Sequence, residues 1–224
     1  MQLYIIRHAE TKNNVLFRET GSWVGRNEDT ELSEKGHIQS KLLAERLANS
    51  REYLLTHLYC SLMLRSVQTA SYIANKTGLP IIAWIDWHEC GGIYLADYTL
   101  DGKECNHRTL PGKNRAYFAE HFPDLVLPDA LGEQGWWSER SFERYDESRV
   151  RATKLLEELH VLHGETNHHV AVVTHENFYS VFMKVVLQTS FELDVSFVLD
   201  NTNATRIDFE SNKKIRVIYQ NRKD

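Results

Sequence analysis

Short apolar runs of four to six residues alternate along this chain with longer stretches whose apolar residues recur every three or four positions. The first run, residues 2–7 (QLYIIR), is rich in β-branched side chains and stops abruptly at Arg7-His8. Residues 57–60 (HLYC), 81–85 (IIAWI) and 170–173 (VAVV) are of the same kind and read as buried strands. Between them, Ile38, Leu42, Leu43 and Leu47 mark a helix over 33–48 with Ser33 as its N-cap. A second helix over 63–75 is closed by Gly78 and Pro80. A third over 141–160 is carried by Phe142, Tyr145, Val150, Leu155, Leu156 and Leu159, and a mostly apolar one spans 178–187. Alternation of this kind predicts an α/β sheet domain. The last strands, 204–209 and 215–219, are joined by the turn SNKK as a hairpin, which makes the sheet mixed. Residues 91–140 differ: rich in Gly, Pro, Trp and His with weak periodicity, they predict a loop-like, lid-like insertion within one domain spanning 1–224.

Composition excludes several classes. Hydrophobic residues make up 42% and charged residues 25%, which is ordinary for a folded chain and not for a disordered one. With 31 acidic against 26 basic residues the net charge is −5, so a nucleic-acid polymer is not an expected partner. No apolar run reaches a membrane span, and the opening MQLYIIRHAE is too short for a secretory signal. Cys60, Cys90 and Cys105 are odd in number with no CxxC spacing, consistent with reduced thiols. A soluble, cytoplasmic protein is the expectation. Oligomeric state leaves no mark in the sequence.

The residues that carry chemistry follow the strands. Arg7-His8-Ala9-Glu10-Thr11 follows the first, Ser61…Arg65…Gln68-Thr69-Ala70 the second, and Thr174-His175-Glu176-Asn177 the strand at 170–173. Ligands of open α/β sheets bind at such carboxyl ends. Arginine forks suit a phosphoryl dianion, and a neutral imidazole can attack phosphorus.

The RHxET opening, the S-x-x-x-R-x-x-Q-T-A element, the strand-ending His175 and Leu32-Ser33-Glu34-Lys35-Gly36 with Gln39 together resemble the histidine phosphatase superfamily. The likeness spans residues 3–80 and 170–182. It implies a phosphoglycerate-mutase-like three-layer α/β/α fold around a mostly parallel mixed sheet. It further implies His8 as the nucleophile that becomes phosphohistidine, and Arg7, Arg65 and His175 as the clamp on the phosphoryl oxygens, with Asn14 beside them. Glu89 is the implied general acid, with Asp86 as its rival. Neither a metal nor a cofactor is required, because the arginines supply the positive charge. Ala9 and Glu176 stand where glycine is common in the family, and Glu176 and Asn177 are candidate substrate contacts.

The substrate expected is a small phosphorylated metabolite and the reaction its hydrolysis. A cofactor-dependent phosphoglycerate mutase is the alternative, because residues 14–23 resemble the stretch with which mutases hold substrate. Arg18, Thr20 and Gly21 keep its spacing, but Trp23 to Leu32 is expanded by four residues. The region after Glu89 also lacks the mutase arginine pair. A catalytically inactive phosphate-binding module is the third reading. The basic stretch over 103–115 reads as a solvated loop ahead of a substrate clamp, and Trp136-Trp137 as loop packing. His160 with His163, and the pair His168-His169, have metal-ligand spacing, but no third ligand is evident in sequence, so no metal is expected there.

Overall fold

The computed structural model describes residues 1–210 and 214–223. Its centre is a seven-stranded sheet in the order β6-β3-β2-β7-β1-β8-β9. Five strands run parallel: β1 (Gln2–Arg7), β2 (His57–Cys60), β3 (Ile81–Ala83), β6 (Leu125–Val126) and β7 (His169–Thr174). β8 (Ala204–Phe209) and β9 (Ile215–Arg222) add an antiparallel margin beside β1. Both strands of the expected hairpin are present, while residues 211–213 of its turn lie outside the described residues.

The side chains of β1 are buried on both faces, with Leu3, Tyr4, Ile5 and Ile6 wholly inaccessible. Period-2 alternation sends Tyr4 and Ile6 into one cluster with Leu43, Leu47, Val67 and Ile73. Those residues belong to α2 (Glu34–Asn49) and α3 (Leu64–Thr77). Leu3 and Ile5 enter the opposite cluster with Leu155, Leu159, Phe178 and Phe182, from α5 (Tyr145–His163) and α6 (Glu176–Val186). Each such buried side chain contributes about 1.5–3 kcal/mol. The result is the three-layer α/β/α arrangement. Among the described residues no helix is long and apolar enough to cross a membrane.

Three expectations need correction. Residues 12–20 form a helix, α1 (Lys12–Thr20), which buries no side chain and so shows no apolar stripe. Ile38, Leu42 and Val150, assigned to apolar helix faces, are exposed, and the buried stripes run through Leu43, Leu47, Leu155 and Leu159. The stretch 91–140 is more regular than a loop. It contains a separate hairpin of β4 (Tyr94–Tyr98) and β5 (Glu104–Thr109), then α4 (Arg115–His121) and the sheet strand β6. Trp136 and Trp137 pack in the interior, as expected. A Cβ on Gly92 would lie 2.0 Å from the Trp137 ring, so a glycine is required there.

Candidate active site

The strands that carry the motifs are neighbours, β2-β7-β1, and all three run parallel. Their carboxyl ends therefore fall side by side and present His8, Ser61 and His175 on one edge. The side chains of the motifs are bonded to one another across that edge. Gln68 Oε1 accepts from the Leu32 amide at 2.9 Å, and Thr69 Oγ1 accepts from the Ala9 amide at 3.1 Å. Gln39 Oε1 accepts from the Glu10 amide at 2.8 Å. Ser33 caps α2 by accepting from the Gly36 amide, and its hydroxyl donates to Glu10 Oε1 at 2.8 Å. A Cβ on Gly36 would sit 2.0 Å from the Glu10 carbonyl oxygen, which explains the glycine of that motif.

His8 is held in one tautomer. Its Nδ1 lies 2.8 Å from the Ala9 carbonyl, to which it can only donate. Arg65 Nε, which can only donate, points at His8 Nε2 from 3.2 Å. Nε2 therefore carries the lone pair. Burial, then the charges of Arg65 and Arg7, hold His8 well below the ordinary imidazole range, so it is neutral at physiological pH. His175 is wholly buried, with its ring 5.1 Å from that of His8. Ser61 Oγ sits 2.7 Å from His175 Nε2 and accepts from the Met63 amide at 3.4 Å, and Ser66 Oγ lies 3.4 Å from the same ring nitrogen. His175 Nδ1 is a buried ring atom with no hydrogen-bond partner among the described residues. Arg7 Nε is a buried donor, likewise without a partner among them. An unpartnered guanidinium N–H and the Arg65 fork beside His8 suit an anion.

A cavity of about 430 Å³ is lined by Arg7, His8 and Arg65 of these groups, and also by Asn14, Glu89, Glu176 and Asn177, while the wholly buried His175 and Ser61 lie behind its wall. Thr11 caps α1 by accepting from the Asn14 amide at 3.1 Å, and Asn14 Oδ1 accepts from the Thr11 amide in return at 3.0 Å, which holds Asn14 at the cavity wall. Of the two candidate acids, Glu89 lines the cavity, whereas Asp86 faces Lys154 on α5 at 3.8 Å. Glu89 Oε1 accepts from the Cys90 and Phe178 amides at 2.9 Å, and Oε2 from the Asn177 amide at 3.3 Å, which locks it to the N-terminus of α6. Glu176 pairs with Arg7 at 2.6 Å. Burial raises its pKa, with Arg7 opposing that shift. The carboxylate thus faces Arg7 and would compete with any anion for it.

Arg18, Thr20 and Gly21 are not brought to this cavity. α1 turns Arg18 onto Glu10 Oε2 at 2.5 Å, Thr20 Oγ1 bonds to Leu16 and Ser22 carbonyls, and Gly21 closes the helix at φ +67°. The four extra residues before Leu32 supply other groups instead. Arg26 lines the cavity, lies over the Tyr94 ring at 4.3 Å and donates to Tyr98 Oη at 3.3 Å. Asp29, pushed up to about 6 by burial, accepts from the Leu64 amide at 2.9 Å and so fixes the start of α3 just before Arg65. That expansion was the only signal of either residue in sequence. From 103–115 only Glu104, the lone acidic residue of the stretch, lines the cavity. Arg115 is tied to the Leu131 and Pro128 carbonyls and Lys103 to Asp101, so the basic stretch is not a clamp.

The family model described as histidine phosphatase superfamily (branch 1) matches residues 3–96 and 96–222. A probable phosphoglycerate mutase GpmB of Enterobacter sp. (strain 638) is 37% identical over 82 residues, 37% of this chain and 34% of that protein. Its counterpart from Yersinia pestis (strain Pestoides F) is 35% identical over the same length. The match thus spans about a third of the curated relatives. Among solved structures, a mycobacterial glucosyl-3-phosphoglycerate phosphatase with VO3 has a TM-score of 0.63 at 19% identity, covering 98% of both chains. A putative alpha-ribazole-5'-P phosphatase of Escherichia coli has 0.65 at 19%, covering 99% of this chain and 97% of the other. The phosphoserine phosphatase of Entamoeba histolytica in complex with 3-phosphoglyceric acid has 0.60 at 18%, with the same coverage. At such identity these likenesses show the fold alone. Because the family match runs nearly the whole length and its motifs are bonded into one edge of the sheet, this chain belongs to the histidine phosphatase superfamily.

Proposed function

We propose that the protein hydrolyses a small phosphomonoester through a phosphohistidine on His8. The observation that carries this reading is the Arg65 Nε–H aimed at His8 Nε2, which marks Nε2 of a neutral imidazole as the nitrogen with the lone pair, freed for attack when the guanidinium turns to a phosphoryl oxygen. In the first step Nε2 bonds to phosphorus while the bond to the ester oxygen breaks and that oxygen takes a proton from Glu89. In the second, Glu89 removes a proton from water, the water oxygen bonds to phosphorus, and the bond to Nε2 breaks. Arg7, Arg65 and His175 stabilise charge on the phosphoryl oxygens. Loss of one such donor is worth about 3 kcal/mol, or ~10²-fold in rate.

The rest of the cavity argues for the substrate class. Glu28, Glu89, Glu104 and Glu176 line it alongside Arg7, Arg26 and Arg65. Four carboxylates beside a phosphate clamp favour a substrate whose other end bears hydroxyl or ammonium donors and disfavour a second anionic group. A neighbouring cavity of about 620 Å³ shares Cys90, Tyr94, Glu176 and Asn177, which leaves room for that end. The mutase reading draws on the partial identity to GpmB proteins. It is opposed by Arg18, Thr20 and Gly21, which lie away from the cavity.

The deciding experiment is turnover of p-nitrophenyl phosphate between pH 5 and 8, with and without EDTA, followed by phosphoamino-acid analysis for an alkali-stable, acid-labile label. Turnover with a label on His8, lost in His8→Ala, is the expected result. No turnover would favour a binding module, and turnover surviving His8→Ala would overturn the mechanism. A coupled assay on 3-phosphoglycerate with a bisphosphoglycerate primer tests the mutase reading.

A further inference from the structure

At the opposite edge of the sheet, by the amino ends of β2 and β7, three histidines converge. His57 opens β2, His163 ends α5, and His168 immediately precedes β7. One ring nitrogen from each lies within 4.8 Å of the others. His163 Nδ1 and His168 Nδ1 are 2.9 Å apart, and the His57 ring centroid is 4.7 and 4.4 Å from those of His163 and His168. We propose that His57, His163 and His168 form a site for a divalent transition cation of the Zn²⁺ class, which pins the α5–β7 connection to β2.

Two of the three rings have an oxygen partner suited to orienting a ligand. Thr56 Oγ1 lies 2.8 Å from His57 Nδ1, which leaves Nε2 as the coordinating atom. Tyr59 Oη lies 3.0 Å from His163 Nε2. Metal-bound histidines commonly donate their other ring N–H to such an oxygen, which fixes the tautomer. In the metal-free arrangement one Nδ1 of the His163–His168 pair must hold a proton toward the other. On binding, the proton of His163 transfers from Nδ1 to Nε2 and is donated to Tyr59 Oη, so the site takes a cation without a net proton loss. Two Zn–N bonds of ~2.0–2.1 Å at a tetrahedral angle separate their nitrogens by about 3.3 Å, only slightly more than the spacing present. Three imidazoles with no carboxylate favour zinc, copper or nickel over magnesium or calcium. His163 is buried, so the site is shielded from bulk water on that side. His160 and His169, whose spacing is equally suggestive in sequence, bond to the Leu156 and Tyr53 carbonyls instead.

The test uses the full chain without a histidine tag, stripped with chelator, and Zn²⁺ or Co²⁺ as the probe. The wild type should retain one Zn²⁺ per chain after dialysis and melt about 5–10 °C higher at a hundredfold excess over Kd. With Co²⁺ it should show the intense visible bands of a tetrahedral centre. His57→Asn and His168→Asn should lose all three readouts while keeping wild-type phosphatase activity, because the site lies across the sheet from His8. His160→Asn and His169→Asn should keep them. Wild-type protein that retains no stoichiometric Zn²⁺, or retains it equally in His57→Asn and His168→Asn, overturns the proposal. A failure of phosphatase activity leaves these metal readouts unaffected and bears only on the active-site reading.

Discussion

His8 illustrates how a single side chain is prepared by its neighbours. An ordinary imidazole would be partly charged in mild acid and could hold its lone pair on either nitrogen. Here one carbonyl and one guanidinium select the reactive tautomer. Arg65→Ala should therefore reduce kcat by about 10²–10³-fold, since it removes both the tautomer selection and a phosphoryl contact. Glu89→Gln separates proton transfer from phosphoryl transfer. Steady-state kinetics should show a ~10²-fold or greater loss on an alkyl phosphate but little loss on p-nitrophenyl phosphate, whose phenolate leaves unaided. Equal losses on both esters would remove Glu89 from the acid role. Glu176 pairs with Arg7 and is 37% exposed in its side chain. Glu176→Gln should lower KM for p-nitrophenyl phosphate by up to about fivefold, the ~1 kcal/mol ceiling of a partly exposed pair, with kcat unchanged.

Between elements, the structure is held by polar contacts from one motif to the next. Glu10 shows the density of these contacts: its amide, carbonyl and carboxylate all meet α2 or its cap. Gly36 is the point of closest approach, and the obstacle to a side chain there is backbone, which cannot swing aside. Gly36→Ala should destabilise by about 1–3 kcal/mol, which for a chain of this length lowers Tm by roughly 3–10 °C. A calorimetric Tm within a degree of wild type would show that β1 and α2 are not coupled this tightly. Elements buried on a stripe or on both faces could be read from the sequence: β1, β2, β7, α2, α3 and α5 fall close to where periodicity places them. α1 could not, because it buries no side chain. Nor could the β4–β5 hairpin, whose residues are mostly exposed and whose pairing is separate from the main sheet.

For the whole molecule, the buried histidines set the response to acid. His8, His88 and His175 are all nearly inaccessible and all held well below the ordinary imidazole value, burial being the largest cause in each. Below about pH 6.5 the unfolded chain takes up protons that the native state refuses, so stability is complete above that pH and falls as the pH drops. The slope is up to ~1.4 kcal/mol per pH unit for each group. Urea unfolding at pH 7.5 and 5.5 should therefore differ by on the order of 3–4 kcal/mol. A stability that rises toward pH 5.5 would show that these rings protonate in the folded state. Because His8 stays neutral well below pH 6.5, any acid limb of kcat/KM above pH 5 should follow the second ionisation of the substrate phosphate, ~6, rather than the nucleophile.

The sequence by itself determined which residues stand at the candidate site. His8, Arg65 and His175 follow strands whose apolar runs end abruptly, and a strand end is a local property of the chain. Tertiary structure alone put Glu89 and Arg26 on the cavity wall, turned Asp86 and Arg18 to other partners, and brought His57 to His163 and His168. Those outcomes depend on the order of β2, β7 and β1 and on a four-residue expansion that reaches across the site. They join residues up to a hundred or more positions apart, where no local spacing in the chain records the distance.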